Sequence, residues 1–194
     1  MNMRWLTWLL LWLPMSSLLA AELRLQLTDT NGAPIPEVAV ALVPASGVER
    51  PPAQTAIIDQ VNKEFVPYLS VVQAGALVRF PNSDNIRHHV YSFSETNKFE
   101  LKLYSGEPSH PVPFAREGIV VLGCNIHDRM IAYVLVVDSP YFTVLQNQTE
   151  ARLQAPAGAY QLLIWHPGMN APMQESVQLS DTPKVLSRQI SGTP

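Results

Sequence analysis

Seventeen prolines are spread along the 194 residues, and they restrict the fold more than any other feature of the sequence. Proline removes a backbone donor and breaks a helix interior, so few stretches could form a long regular helix. No stretch keeps a helical period for three turns. Apolar and polar residues instead alternate over short runs bounded by turn residues, as in residues 23–27. This pattern predicts an all-β sandwich.

Further short apolar runs predict the other strands. The run 38–43 follows turn residues 29–34 and is expected to return beside 23–27. The remaining predicted strands are 65–72, 77–80, 90–93, 119–122, 131–137, 142–145, 151–153 and 160–165. Trp165 and His166 are expected in the core at a strand end, and Tyr91, Phe93, Phe99 and Tyr104 in the core or the wall of a site.

Residues 1–21 have the composition of a secretory signal peptide. Arg4 precedes an apolar run over 5–13 that is too short to span a bilayer, and Ala20 and Ala21 are small residues suited to cleavage. We expect cleavage after Ala20 or Ala21, a periplasmic or secreted protein, and no membrane span afterwards. A retained membrane anchor is the alternative, disfavoured because no second apolar run follows.

The 173 residues after this segment suit one large domain or two small ones. They carry 12 basic and 16 acidic residues, a net charge of −4 that argues against nucleic acid as a partner. Cys124 is the only cysteine, so no internal disulfide can form. An exported lone thiol is open to oxidation unless something occupies it. It could form a dimer disulfide, act as a nucleophile, lie buried and inert, or bind a metal.

The neighbours of Cys124 favour a metal site. Cys124, His127 and Met130 follow a C-x-x-H-x-x-M spacing between two predicted strands, and His88 lies 36 residues upstream of the cysteine on another. Two imidazoles, one thiolate and a weak thioether suit copper. Structural zinc sites rarely use methionine, and haem attachment needs a second cysteine. A Cys–His nucleophilic enzyme remains open but leaves Met130 unexplained.

Residues 65–90 and the Cys124 loop resemble the cupredoxins, the plastocyanin- and amicyanin-like blue copper proteins. The likeness comprises a strand, a glycine turn, an N-x-D stretch at 82–84, H-x-V at 88–90 and the short amicyanin-type cysteine loop. It implies a Greek-key sandwich with one copper per chain, held by His88, Cys124, His127 and Met130. The runs 90–94, 99–104 and 123–128 look like exported bacterial methylamine-utilisation cupredoxins.

Two departures from this family concern the surroundings of the ligands. Ile126, Asp128 and Arg129 occupy a loop that usually carries proline and apolar residues, so the usual apolar docking patch is in doubt. His89 stands where the family often has asparagine. It is the alternative upstream ligand, but adjacent strand residues point to opposite faces, so we expect it outside the site.

The two ends resemble a different β-module. Residues 29–40 and 155–162 look like the start and end of a carboxypeptidase-regulatory, transthyretin-like module, with the copper domain between its halves. The alternative is one enlarged sandwich. The predicted organisation is a signal peptide at 1–21, N-terminal strands at 22–55, a copper-binding core at 56–138 and a C-terminal β extension at 139–194.

The ligand set predicts a one-electron carrier with an unidentified redox partner protein, and no enzyme. Gly123 and Asn125 flank the cysteine, where a multicopper oxidase would need histidines. A copper-buffering or delivery protein is the second hypothesis, for which Met169 and Met173 could supply further donors. A non-metal interaction module is the third.

Overall fold

The computed structural model describes residues 20–45 and 51–191, which form strands and connecting loops without a helix. The strands are β1 Ala21–Thr28, β2 Glu37–Pro44, β3 Ala56–Ile57, β4 Asp59–Val61, β5 Glu64–Val66, β6 Leu69–Gln73, β7 Ala76–Arg79, β8 His88–Ser92, β9 Phe99–Tyr104, β10 Val112–Phe114, β11 Gly118–Gly123, β12 Ile131–Val137, β13 Tyr141–Gln146, β14 Glu150–Ala155, β15 Gly158–Trp165, β16 Met173–Leu179 and β17 Lys184–Gln189. Over these two ranges, nothing in the chain forms a helix with the length and apolar character needed to cross a membrane. The predicted signal peptide lies outside the described residues except for Ala20 and Ala21, and Ala21 is already buried in β1.

The two ends of the chain together build one β-sandwich, which we call the terminal module. Its sheets have the strand orders β14-β1-β17 and β13-β2-β15-β16, and β1 runs parallel to β17. Because side chains alternate between the two faces of β1, Leu23, Leu25 and Leu27 all point into one buried core, to which β2, β14 and β15 also contribute side chains. N-terminal and C-terminal segments therefore depend on each other for burial of their apolar faces.

The expected pairing of β2 with β1 is wrong. β2 lies in the other sheet, between β13 and β15. The physical reason is that β2 is buried on both faces, with Val38, Val40 and Leu42 on one side and Ala39 and Ala41 on the other. A strand covered on both faces belongs in the middle of a sheet that packs on two layers.

The strands from β3 to β12 form the central module. A five-stranded sheet, β6-β12-β11-β8-β9, covers a three-stranded sheet, β10-β7-β3, and the hairpin β4–β5 lies alongside. Its core is separate from that of the terminal module. The predicted strand 65–72 is divided into β5 and β6 at Pro67, which has no N–H to donate to a ladder.

A third cluster of buried side chains joins the two modules. Its buried members are Ala39 and Ala41 of β2, Leu69 and Val71 of β6, Leu135 and Val137 of β12, and Trp165 of β15. The Trp165 indole N–H donates to the Met169 carbonyl at 3.0 Å, and its ring meets Tyr133 edge-on. The prediction of an all-β sandwich with additional strands from both ends is confirmed, as is the burial of Trp165 and His166.

Candidate metal centre

The loop that follows β11 carries three of the four predicted ligands and is closed at its base. The Cys124 N–H donates to the Met130 carbonyl at 3.2 Å, and the Met130 N–H donates to the His127 carbonyl at 2.9 Å. β11 and β12 pair antiparallel up to Gly123 and Ile131, so both ends of the loop are anchored in one ladder. Residues 124–130 thus form a tight seven-residue loop that carries both Cys124 and His127.

His88 reaches the same place from β8, the strand next to β11. Tyr91 of β8 is paired with Gly123, which aligns the start of β8 with the loop. The His88 side chain is 0% exposed, and Cys124 is 4% exposed. The strand ladder fixes the backbone of His88, and the hydrogen bond from the Cys124 N–H to the Met130 carbonyl fixes the backbone of Cys124.

The donor atoms of His88, Cys124 and His127 converge. The Cys124 Sγ lies 3.9 Å from the His88 Nδ1 and 3.7 Å from the His127 Nδ1. The two rings have centroids 5.0 Å apart, and all three donor atoms lie within 4.8 Å of one another. With metal–nitrogen bonds of about 2.0 Å and a metal–sulfur bond of about 2.3 Å, the nitrogen–sulfur separation would be about 3.5–3.7 Å. The residues therefore fit one metal ion.

The chemistry of this donor set suits copper. Two imidazoles and one thiolate form the trigonal set of blue copper sites, which are completed by a weak axial ligand. Met130 is 2% exposed, and it lines a surface cavity together with Cys124. Its role as the fourth ligand stays a prediction.

His89 lies outside this cluster. Its Nε2 is 3.1 Å from the Glu100 Oε1 on β9, and its ring meets Tyr91 edge-on. Among the described residues, the group of metal-ligating side chains contains His88 and not its neighbour. The strand alternation that sends adjacent side chains to opposite faces accounts for this difference.

The outer side of the site is partly open. His127 is half-buried, while Ile126, Asp128 and Arg129 of the same loop are exposed. Of the three clustered side chains, His127 is thus the one that reaches the surface. The rim around it combines one apolar side chain with one of each charge.

An aromatic side chain covers the backbone next to the cysteine. A Cβ added to Gly123 would lie 2.7 Å from the Tyr91 Cζ, so only glycine leaves room for this ring. Tyr91 stacks in turn on Phe93 at 4.9 Å between centroids. Phe93 is 77% exposed and therefore lies outside the core, but it lines the same surface cavity as Cys124 and Met130, so it is part of the wall of the candidate site, one of the two places expected for it. It directly follows β8, which ends at Ser92, and lies at the molecular surface.

One residue at the site escaped the sequence analysis. The Asp84 Oδ2 lies 2.7 Å from the His88 Nε2, on the ring edge opposite Cys124. Asp84 belongs to the 82–84 stretch, but it stands in a loop without a periodic pattern, and its spacing to His88 has no meaning outside the folded loop. The N-x-D pattern at 82–84 includes Asp84, but nothing in the sequence indicates its contact with His88.

The other singled-out residues lie elsewhere. His110 is an exposed loop residue that contacts the Ser109 hydroxyl. Met169 and Met173 pack against the core of the terminal module. His166 is fully buried and accepts a hydrogen bond from the Gly168 N–H through its Nδ1.

Comparisons with known proteins give distant structural likenesses. A scan against protein-family models finds no match, and a search of curated proteins finds none. Among solved structures, the chain is similar to the oxidized state of a mutant amicyanin, with 20% identity and a TM-score of 0.37 over 42% of this chain and 81% of that one. It is similar to a purple cupredoxin from Nitrosopumilus maritimus, with 21% identity and a TM-score of 0.36 over 42% and 97%. A pseudoazurin from Sinorhizobium shares 17% identity, with a TM-score of 0.35 over 45% and 76%. The chemistry of the site follows from its own side chains.

Proposed function

We propose that this chain binds one copper ion through His88, Cys124, His127 and Met130 and carries single electrons outside the cytoplasm. One observation carries the proposal. The Nδ1 atoms of two histidines face the sulfur of the one cysteine in the sequence, within 4.8 Å. A bound metal would also protect an exported thiol from oxidation.

Electron transfer, rather than catalysis, is supported by the way the site is held. A strand and a closed loop fix the donor atoms, so Cu(I) and Cu(II) would be bound with little rearrangement. Gly123 and Asn125 flank the cysteine, so the chain lacks the histidines that would connect it to further copper ions. When bound, copper would supply the one-electron couple, and the half-buried His127 is the side chain nearest to a partner.

The placement of the methionines favours a carrier over a copper-buffering protein. A buffering site would be expected to hold additional thioether or imidazole donors. Met169 and Met173, the side chains considered for that purpose, pack in the terminal module instead. The partner is then a redox protein that approaches the mixed apolar and charged rim around His127, in the periplasm or outside the cell.

The test is a titration of the purified chain with Cu(II), followed by visible absorption. We expect an intense thiolate-to-copper band that saturates at one equivalent and is absent in Cys124→Ser. His110→Gln, which changes an exposed histidine, is the matched control and should keep the band. A wild-type chain that stays colourless at one equivalent would overturn the copper assignment. A coloured chain without a reversible one-electron wave in voltammetry would instead point to copper buffering.

A further inference from the structure

The two ring nitrogens of His88 have different partners. Nδ1 faces the Cys124 sulfur, while Nε2 lies 2.7 Å from the Asp84 carboxylate. The imidazole is 0% exposed, and the Asp84 side chain is 12% exposed. A neutral imidazole carries one N–H, and only the Nε2–H form both donates to the carboxylate and leaves the Nδ1 lone pair free.

The carboxylate is itself anchored by a turn. Asn62 and Lys63 connect β4 to β5 with φ angles of 54° and 65°, the left-handed pair of a type I′ hairpin turn. Their backbone N–H groups donate to Asp84 at 2.7 and 2.8 Å. Asn62 donates to Oδ1 and Lys63 to Oδ2, so both carboxylate oxygens are held by the turn, and Oδ2 is also the atom that faces the His88 ring.

The Asp84 backbone is fixed as well. Its N–H donates to the Asn82 Oδ1 at 3.0 Å, and the Asn82 amide donates to the carbonyls of Ile86 and Tyr104. The loop before β8 is thus tied to β9 and to the β4–β5 turn. An anionic acceptor consequently stands at a fixed position behind a predicted metal ligand.

We propose that Asp84 is a positioning residue that sets the tautomer of His88 and shifts the copper site toward Cu(II). The proposal rests on the copper-binding function proposed above. A carboxylate that accepts the distal N–H of a ligating histidine fixes the ring and raises the basicity of the other nitrogen. A more basic ligand stabilises the more highly charged ion, so Asp84 lowers the reduction potential.

A merely structural role for Asp84, as a cap for the β4–β5 turn, makes different predictions. If Asp84 only caps this turn, replacing it should lower the free energy of unfolding and leave the preference between Cu(I) and Cu(II) unchanged. Asp59 offers a matched control. Its carboxylate accepts hydrogen bonds from Ser83, the residue before Asp84, and contacts none of the predicted metal ligands. The Ser83 hydroxyl and N–H donate to Asp59 at 2.7 and 3.2 Å.

The experiment compares Asp84→Asn and Asp59→Asn with the wild type by voltammetry and by Cu(II) and Cu(I) competition. Loss of the Asp84 charge should weaken Cu(II) binding about tenfold relative to Cu(I), at the lower end of the range for such partners. For a one-electron couple, that change raises the potential by about 59 mV. Asp59→Asn should move the potential much less. Equal shifts in both variants, or no shift in Asp84→Asn, would overturn the role of Asp84.

A second measurement needs neither copper nor a variant. Nitrogen-15 NMR of the metal-free wild type should show His88 as the Nε2–H tautomer, with a proton that exchanges slowly with water. An Nδ1–H tautomer would overturn the role of Asp84 even in a chain that binds copper. A wild-type chain without the copper–thiolate band would overturn the proposed function, whatever the tautomer.

Discussion

At the scale of single residues, the two clustered histidines are held in different ways. His88 is buried on a strand with its distal nitrogen paired to Asp84, whereas His127 is half-buried on a loop. The backbone of His127 is held by the hydrogen bond from Met130 across the loop. We therefore infer that His88 forms the buried, fixed side of the site and that His127 forms the side that reaches the surface.

The first residue-scale prediction separates two adjacent histidines. His88→Gln should abolish the thiolate-to-copper band and lower Cu(II) affinity by more than about 100-fold, beyond the range for residues that only support a ligand. His89→Gln should keep the band, because His89 pairs with Glu100 on the other face. Absorption and copper competition on both variants provide the measurement. If only the His89 change bleaches the protein, the upstream ligand is His89.

A second prediction concerns Met130. A long copper–thioether contact contributes less to affinity than the thiolate and imidazole bonds, but it favours Cu(I). Met130→Gln should keep copper and lower the reduction potential by about 59 mV or more, a tenfold change in the preference between the two states. Met173→Gln, in the terminal module, is the control and should leave the potential unchanged.

Two outcomes would contradict this prediction for Met130. An unchanged potential would mean that the side chain only packs in the core. Complete loss of copper would mean that the axial contact is not weak. Voltammetry and copper competition on the same sample distinguish the two.

How far single residues could be predicted depends on where their partners lie in the sequence. Cys124, His127 and Met130 share one short loop, so their spacing alone indicates that they can converge. Asp84 depends on backbone donors more than twenty residues away, in a turn that no apolar pattern marks. Contacts of that kind arise from the arrangement of the sheets, which spacing does not encode.

At the scale of strands, predictability follows the strength of the alternation. β1 alternates cleanly and was predictable, whereas β17 is mostly exposed and carries little apolar signal. The position of β17 comes from its parallel pairing with β1, at the far end of the chain. β2 was predictable as a strand but not in its partner, because two-sided burial becomes visible only once both modules are assembled.

The prediction at this scale concerns Tyr104, at the end of β9. Its hydroxyl donates to the Phe80 carbonyl at 2.7 Å and accepts from the Gln60 side chain. Burial raises the pKa of Tyr104 to about 12. Because the folded pKa lies above the unfolded one, the stabilisation is complete below about pH 10 and is lost as the pH rises through about 12.

A spectrophotometric titration of tyrosinate should therefore show one group near pH 12 that is missing in Tyr104→Phe. The variant also removes the shorter of two hydrogen bonds to the Phe80 carbonyl and leaves the one from the Gln60 side chain at 3.4 Å, which should lower the free energy of unfolding by about 0.5–1.5 kcal/mol. Urea denaturation at neutral pH measures this cost. Identical high-pH titrations in the two proteins would contradict the assignment.

At the scale of the whole molecule, β12 connects the proposed metal site with the contact between the modules. The strand begins at Ile131, directly after the ligand loop, and places Leu135 and Val137 in the joining cluster. Six residue steps span about 20 Å at the rise of an extended strand. The cluster is apolar and includes a fully buried tryptophan, so neither module can expose its face without losing burial in the other.

The last prediction is that metal binding stabilises both modules together. Trp165 is the only tryptophan beyond residues 1–21, and it lies in the cluster that joins them. Cu(I), at about 100 times its dissociation constant, should stabilise the chain by about 2.7 kcal/mol. For a chain of this size, that raises the melting temperature by about 5–10 °C. Trp165 emission and circular dichroism should both report this shift, in one common transition.

Two variants test this prediction. One removes a proposed metal ligand, and the other weakens the joining cluster. Cys124→Ser should melt in one transition that Cu(I) does not move. Leu135→Ala removes a buried side chain from the joining cluster, at a cost of about 2–5 kcal/mol. If the cluster couples the modules, this variant should melt in two steps, and Cu(I) should raise only the step that Trp165 does not report. A wild type whose Trp165 transition ignores Cu(I) while the circular dichroism shifts would show that the modules unfold independently.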